Sequence, residues 1–335
     1  MTWPTQQGVF ALGDTKLLSG ETLVGAKLSW KAHGTLSPAR DNVIVYPTSY
    51  SAQHPELEWL IGLDGILDPT LWFIVQPDMF ANGLSSSPSD RAYYPSLVTS
   101  WDNVHAQRRL LREVFGIERV ACVYGWSMGA QQAYHWAAAF PEAVDRIIAV
   151  CGSARTAVHN QVFLRSLMAV LEAAPEHLGG GRFHAEPKAA IRAFARIYAS
   201  WALSQDFYRA GLHLTNEPDL ESFLVNQWEA RWGQRRAANL YAQARSWDAG
   251  DISANPLYDG DLARALGAIQ ARVLLMPGET DLYFRVADNE AEMLHLRHAA
   301  LRPIPGINGH RSGNPNGNAA DTAFLRAQVR EWLAA

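Results

Sequence analysis

Cysteine is almost absent from this 335-residue chain, with Cys122 and Cys151 the whole complement. Two cysteines rule out a disulfide framework. Both sit in apolar, strand-like runs, RVACVYG and IIAVCGS, and read as buried core thiols. An excess of positive charge is missing too: 29 Lys and Arg face 33 Asp and Glu, leaving a formal net charge of -4. Nothing here supplies the basic field that nucleic acid requires. No apolar run approaches the ~18 residues of a membrane span. The opening MTWPTQQGVFALGD has no charged segment ahead of an apolar one, so it does not read as a secretory leader. The motifs H-E-x-x-H, paired C-x-x-C, Walker A and G-x-G-x-x-G are also lacking, which withdraws support for a metal or nucleotide enzyme. These absences lead us to expect a cytoplasmic protein with no nucleic-acid or membrane partner, no metal and no cofactor.

What is present is an alternation of strand and helix patterns. Residues 21–32 (ETLVGAKLSWKA) alternate apolar and polar, as a half-buried strand does. Residues 42–46 (NVIVY), 71–76 (LWFIVQ), 119–124 (RVACVY) and 147–150 are short continuous apolar runs, suited to strands buried on both faces of a parallel sheet. Residues 101–115 have helical spacing through Val104, Leu110, Leu111 and Val114, and stop at Gly116. A second helix over 130–140 is closed by Pro141. The pattern predicts a doubly wound, mostly parallel central sheet flanked by helices. From 156 to 266 the sequence turns helical, with stretches at 164–173, 189–201 and 220–246. Strand patterns return at 272–276 (RVLLM) and 299–304. The expected organisation is one α/β core, 1–155 and 267–335, interrupted by a helical insertion over 156–266. Residues 85–89 (SSSPS) read as a surface loop.

The chemistry-bearing residues fall at the ends of these strands. Gly125-Trp126-Ser127-Met128-Gly129 is a G-x-S-x-G pentapeptide between a buried strand and a helix. That is the strand-turn-helix of a nucleophile elbow, and it points to the α/β-hydrolase fold with Ser127 as nucleophile. A serine hydroxyl needs a base to remove its proton, and in this fold an acid and then a histidine follow in the chain. The strand at 272–276 leads into Pro277-Gly278-Glu279-Thr280-Asp281; Asp281 is the expected acid and Glu279 the alternative. The last strand leads into Gly306-Ile307-Asn308-Gly309-His310, with His310 the expected base; His295 and His298 fall in a helical stretch and should face solvent. Two amides should stabilise an oxyanion, that of Met128 and one from the loop Pro47-Thr48-Ser49-Tyr50, with Ser49 the first candidate. Tyr50, Trp126 and Arg311 are candidate substrate contacts. The tryptophans of the helical region, Trp201, Trp228, Trp232 and Trp247, could line a site or form a core.

With these residues in view, the whole chain resembles the homoserine O-acetyltransferase family of α/β-hydrolases. The resemblance is carried by residues 20–47, by 100–155 through GIERVACVYGWSMGAQQAYHWAAAFPEAVDRIIAVCGSAR, by Thr280-Asp281-Leu282-Tyr283-Phe284, and by Arg245-Ser246-Trp247-Asp248. It implies a Ser–Asp–His triad working through an acyl-enzyme, a helical lid over a substrate tunnel, and a homodimer formed through the lids. Three positions depart from the family's habit. Arg311 follows His310 where the acetyltransferases carry an aspartate, Pro47-Thr48-Ser49 replaces a His-Ala-Leu sequence, and Ala237 stands where a lid aspartate is usual. An amino-acid acceptor needs a carboxylate for its ammonium group. The expected activity is therefore hydrolysis of a small ester, thioester or amide. Acyl-CoA-dependent O-acyl transfer, with acyl-CoA as co-substrate, is the alternative, and a non-catalytic ligand receptor on the same fold is a distant one.

Overall fold

The computed structural model describes residues 2–335. Eight strands form one sheet in the order β1-β2-β4-β3-β5-β6-β7-β8. The strands β1 (Thr5–Lys16) and β2 (Thr22–His33) form an antiparallel hairpin, and β2 pairs antiparallel with β4 (Phe73–Pro77). The remaining strands, β3 (Val43–Val45), β5 (Cys122–Trp126), β6 (Arg146–Val150), β7 (Arg272–Met276) and β8 (Ala299–Leu301), run parallel to β4 and to each other.

The unbroken apolar runs have a direct physical cause. Successive side chains of a strand point to opposite faces, and here both faces are covered. Val43, Val45, Val123, Ile147, Ala149, Val273 and Leu275 pack in one core with α1 (Ser100–Phe115) and α2 (Met128–Ala139). Their alternating partners Ile44, Cys122, Tyr124, Ile148, Val150, Leu274 and Met276 pack in another. The left-handed Gly116, with φ 63°, terminates α1.

Between β6 and β7 lie α3 (Val158–Glu172), α4 (Lys188–Ala202), α5 (Gln205–Arg209), α6 (Leu220–Phe223), α7 (Ala230–Trp232), α8 (Ala237–Asp248) and α9 (Leu262–Ala268). The core of α3, α4 and α8 includes Tyr50, Met79, Met128, Tyr283 and Phe284. These five follow the carboxyl ends of β3, β4, β5 and β7, so the inserted helices cover that edge of the sheet. After β7 come α10 (Val286–Met293) and α11 (Ala319–Ala334), the latter packing Leu325 and Val329 under the sheet.

Three local expectations are corrected, and one strand is new. The stretch 220–246 is not one helix: a π-helical segment, Leu224–Glu229, joins α6 to α7, and the chain breaks before α8. At the break Arg235 and Arg236 turn aside to Glu56 and Glu186, at 2.5 and 2.7 Å. The boundary placed at 266 cuts through α9, and Ile252, Tyr258, Ala265 and Leu266 already belong to the α1–α2 core. The serine run is not a surface loop, because Ser85, Ser86 and Ser87 are buried. Their hydroxyls take up backbone groups there, Ser85 Oγ accepting from Ser29 N at 2.9 Å and donating to Asp78 O at 2.6 Å. Finally, β1 was not anticipated; it is a largely exposed edge strand whose register slips around Gly13.

Candidate active site

Ser127 sits between β5 and α2 with φ 60° and ψ -128°, a strained combination for a residue carrying a Cβ. Two glycines make the turn possible. A Cβ on Gly125 would lie 2.1 Å from Gly129 O, and one on Gly129 would lie 2.9 Å from Pro47 O. The Ser127 amide donates to Val150 O at 2.9 Å, fixing the turn to β6. Ser127 is buried, with 2% of its surface exposed.

The two partner loops meet each other. His310 Nδ1 is 2.7 Å from Asp281 Oδ2. The other carboxylate oxygen of Asp281 accepts the amides of Tyr283 and Phe284, at 2.7 and 3.3 Å. With a carboxylate as its partner, Nδ1 carries the proton and Nε2 is left as the acceptor. No protein group among the described residues bonds Nε2. The imidazole is fixed by aromatic neighbours: Trp126, the residue before Ser127, stacks on it at 5.1 Å, and Tyr283 meets it edge-on at 4.9 Å. The carboxylate bonded to His310 is thus that of Asp281, whereas Glu279 is exposed. His295 and His298 are exposed beyond the end of α10.

Thr280 Oγ1 joins the acid and base loops, donating to Gly306 O at 3.0 Å and accepting from Gly309 N at 3.1 Å. The base loop also rests on the insertion. Ser204 Oγ donates to Ile307 O at 2.5 Å, and a Cβ on Gly309 would come within 2.9 Å of Ala202 O.

Beside the elbow, the loop after β3 is braced by a ladder of amide side chains. Gln132 Nε2, on α2, donates to Thr48 O at 2.9 Å, and Gln107 Nε2 donates to Gln132 Oε1 at 2.6 Å. Among the described residues, no acceptor bonds the backbone N–H of Ser49 or of Met128. The Ser49 hydroxyl is likewise buried without a partner. Tyr50 is tied into the insertion, with its hydroxyl donating to Leu240 O at 2.9 Å and its ring stacked 5.9 Å from that of Tyr198. Trp228, Trp232 and Trp247 pack in this aromatic core, with Trp201 at its margin.

Two buried groups here carry no signal in the sequence. Cys151, immediately after β6, places its Sγ with an Asp281 oxygen and a His310 nitrogen, all within 4.8 Å of one another. Burial pushes its thiol well up from the ordinary range, so it stays protonated. A metal would need the thiolate and would compete for the Asp281–His310 bond, so this trio is poorly suited to hold one. Glu292 on α10 is the second. It accepts from Tyr134 Oη at 2.5 Å, Ala154 N at 2.6 Å and Asn289 Nδ2 at 2.9 Å. Burial raises its carboxyl to about 7. Asn289 Nδ2 also donates to Gly152 O at 3.0 Å, and Gly152 packs against Ala130 directly beneath Ser127.

A cavity of about 690 Å³ opens between the insertion and the base loop, with Arg311, Asn308 and Asn314 on one side and Arg231 and Trp228 on the other. Ser127 is not on its lining. Burial, with Arg231 close by, lowers the Arg311 guanidinium to about 10.

Comparison with known proteins agrees with this fold. Residues 61–295 match the alpha/beta hydrolase fold family. The chain is 33% identical over 307 residues to an ethyl acetate hydrolase of Pseudomonas veronii, covering 89% of this chain and 87% of that one. It superposes with a TM-score of 0.92 on an acetylester hydrolase from Corynebacterium glutamicum, 30% identical, covering 98% of this chain and 96% of that one. It is 25% identical over 357 residues to a homoserine O-acetyltransferase of Leifsonia xyli, covering 95% of this chain and 87% of that one.

Proposed function

The chain belongs to the alpha/beta hydrolase fold family, and we propose that it is a serine acyl hydrolase acting on small carboxylic esters through an acyl-enzyme. The observation that carries this reading is the His310–Asp281 bond, which leaves Nε2 unbonded on a ring stacked against Trp126, the residue before a serine held in left-handed backbone at an elbow. In the proposed cycle Ser127 Oγ attacks the ester carbonyl while His310 Nε2 takes its proton. Asp281 fixes the tautomer and stabilises the imidazolium. The unbonded amides of Met128 and Ser49 receive the oxyanion. His310 then returns the proton to the departing alkoxide, leaving the acyl group on Ser127. Water, deprotonated by His310, attacks the acyl carbon, and the acid leaves as Ser127 recovers its proton. No metal or organic cofactor enters this cycle.

Hydrolysis is favoured over transfer to homoserine by Arg311 beside His310, a cation that repels an ammonium group, and by Ala237 in place of a lid aspartate. The higher identity to the ethyl acetate hydrolase than to the acetyltransferase supports the same side. The proposal includes a lid role for the inserted helices and a homodimer formed through them. Val158, Val162, Leu212, Leu214 and Leu220 give the insertion exposed apolar surface for that contact. No helix among the described residues is long and apolar enough to cross a membrane. The proposed place of action is the cytoplasm, in keeping with two buried free thiols.

The test is turnover of ethyl acetate and of an activated acetate ester by the native protein and by Ser127→Ala, with labelling by a serine-directed fluorophosphonate. The native protein should release acetate and be labelled. The variant should lose turnover by as much as about a million-fold and escape labelling. Acetyl-CoA supplied with homoserine should yield no appreciable O-acetylhomoserine; its formation ahead of hydrolysis would assign transfer instead.

A further inference from the structure

Arg231 and Arg311 lie far apart in the chain, yet both line the cavity between the insertion and the base loop. Neither guanidinium bonds a carboxylate among the described residues. Most other arginines at this surface are paired, as Arg235 is with Glu56 and Arg236 with Glu186. The one carboxylate among the described lining residues, Asp321, is turned to Asn308, whose Nδ2 donates to it at 2.8 Å. Two like charges facing a shared concave space, without a counter-ion from the protein, favour an anion from solution. Leu203, Phe223 and Trp228 add an apolar share to the lining.

We propose that this cavity is an anion subsite that selects carboxylate-bearing esters, with Arg231 and Arg311 gripping the carboxylate while the ester group reaches Ser127. The proposal rests on the hydrolase reading above. Position supports it, because Arg311 follows His310 directly and Asn308, two residues before His310, lines the same cavity. Charge decides the kind of anion. Two guanidiniums against Asp321 leave a formal charge of +1, which one carboxylate neutralises and a phosphate dianion overshoots. The cavity, about 690 Å³, accommodates a small ester with a few methylenes against Leu203 and Trp228.

The carboxylate could belong to the acyl part of the ester or to its alcohol part, so two substrate pairs are needed. Ethyl hydrogen succinate against its neutral amide, ethyl succinamate, tests the acyl side. Acetoxyacetate against acetoxyacetamide tests the alcohol side. For one pair the native enzyme should favour the anionic member in kcat/KM by roughly 10- to 100-fold, chiefly through KM. R231Q and R311Q should each reduce that ratio, the double variant should bring it close to one, and R311K should retain much of it. A ratio near one in the native enzyme for both pairs, or a ratio unchanged in the double variant, would overturn the proposal. A second readout does not need turnover: butyrate, a monocarboxylate, should raise the melting temperature of the S127A protein but not of S127A carrying both Gln substitutions. Stabilisation by inorganic phosphate and not by butyrate would also refute it. If S127A keeps full esterase activity, the nucleophile assignment fails, while the butyrate shift still decides the subsite.

Discussion

Replacing Glu292 with Gln should leave the protein about as stable as the native one at acid pH and more stable at alkaline pH. The native carboxyl is buried and raised to about 7, against 4.5 when free. The sign follows from proton binding. Below pH 4.5 both folded and unfolded states hold the proton, and the group is neutral in its effect. As pH rises from 4.5 towards 7 the unfolded chain releases the proton and the folded protein keeps it, so stability falls; above 7 the loss is complete. Between pH 5 and pH 8 the shift corresponds to about 2 to 3 kcal/mol. Gln cannot carry the charge and escapes this loss. It forfeits one hydrogen bond, because its amide nitrogen cannot accept from Asn289, at about 1 kcal/mol. The two proteins should therefore be close at pH 5, with the variant ahead by about 2 kcal/mol at pH 8. For 335 residues the unfolding entropy is roughly 0.7 kcal/mol/K, so the difference in melting temperature should change by roughly 3 to 4 °C across that range. Calorimetry of both proteins at pH 5, 6, 7 and 8 measures it, since titrations common to both cancel. A difference that stays flat with pH, or that grows in favour of the native protein, would refute the reasoning.

Asp281→Asn should lower kcat for an activated ester by roughly a thousand- to ten-thousand-fold with little change in folding, because the amide stabilises neither the tautomer nor the imidazolium; steady-state kinetics with a thermal melt separate the two. Gly125→Ala should destabilise the protein by about 3 kcal/mol or more, because its Cβ would meet the backbone of Gly129 at 2.1 to 2.2 Å and only the main chain could yield. A urea midpoint close to that of the native protein would contradict it.

How much of this was legible beforehand follows from what each element needs. The parallel strands were readable because burial on both faces demands unbroken apolar runs, as in Val43-Ile44-Val45. The edge strand β1 was not, since its exposed residues face no such demand. Ser127 announced itself through local geometry, because the elbow needs glycines on both sides. Asp281 and Glu279 could not be separated by spacing alone; the amides of Tyr283 and Phe284 distinguish them, and those contacts exist only once the loop is folded. The same holds for Cys151 beside Asp281 and for Arg231 opposite Arg311, which are relations across the fold. In 220–246 the helical composition was real, but α7 ends at its cap, Gly233, and the chain resumes as helix only at Ala237, with Arg235 and Arg236 between them paired to Glu56 and Glu186. The serine run misled for a related reason: small polar residues mark surface turns and also fill tight interior ones, where each hydroxyl meets a backbone group.

The clasp between Ser204 and the base loop bears on how far this protein can be treated as exchangeable parts. A helical insertion between two strands invites transplantation, as though a relative's helices could be set on this sheet to alter what it accepts. Here the chain leaving α4 is the surface on which the His310 loop rests, with Ser204 holding Ile307 and the backbone of Ala202 leaving no room for a side chain at residue 309. A foreign insertion would have to reproduce that contour or bring its own base loop with it. Residues 202–204 and 306–310 thus form one heritable unit, free to change together and constrained from changing apart.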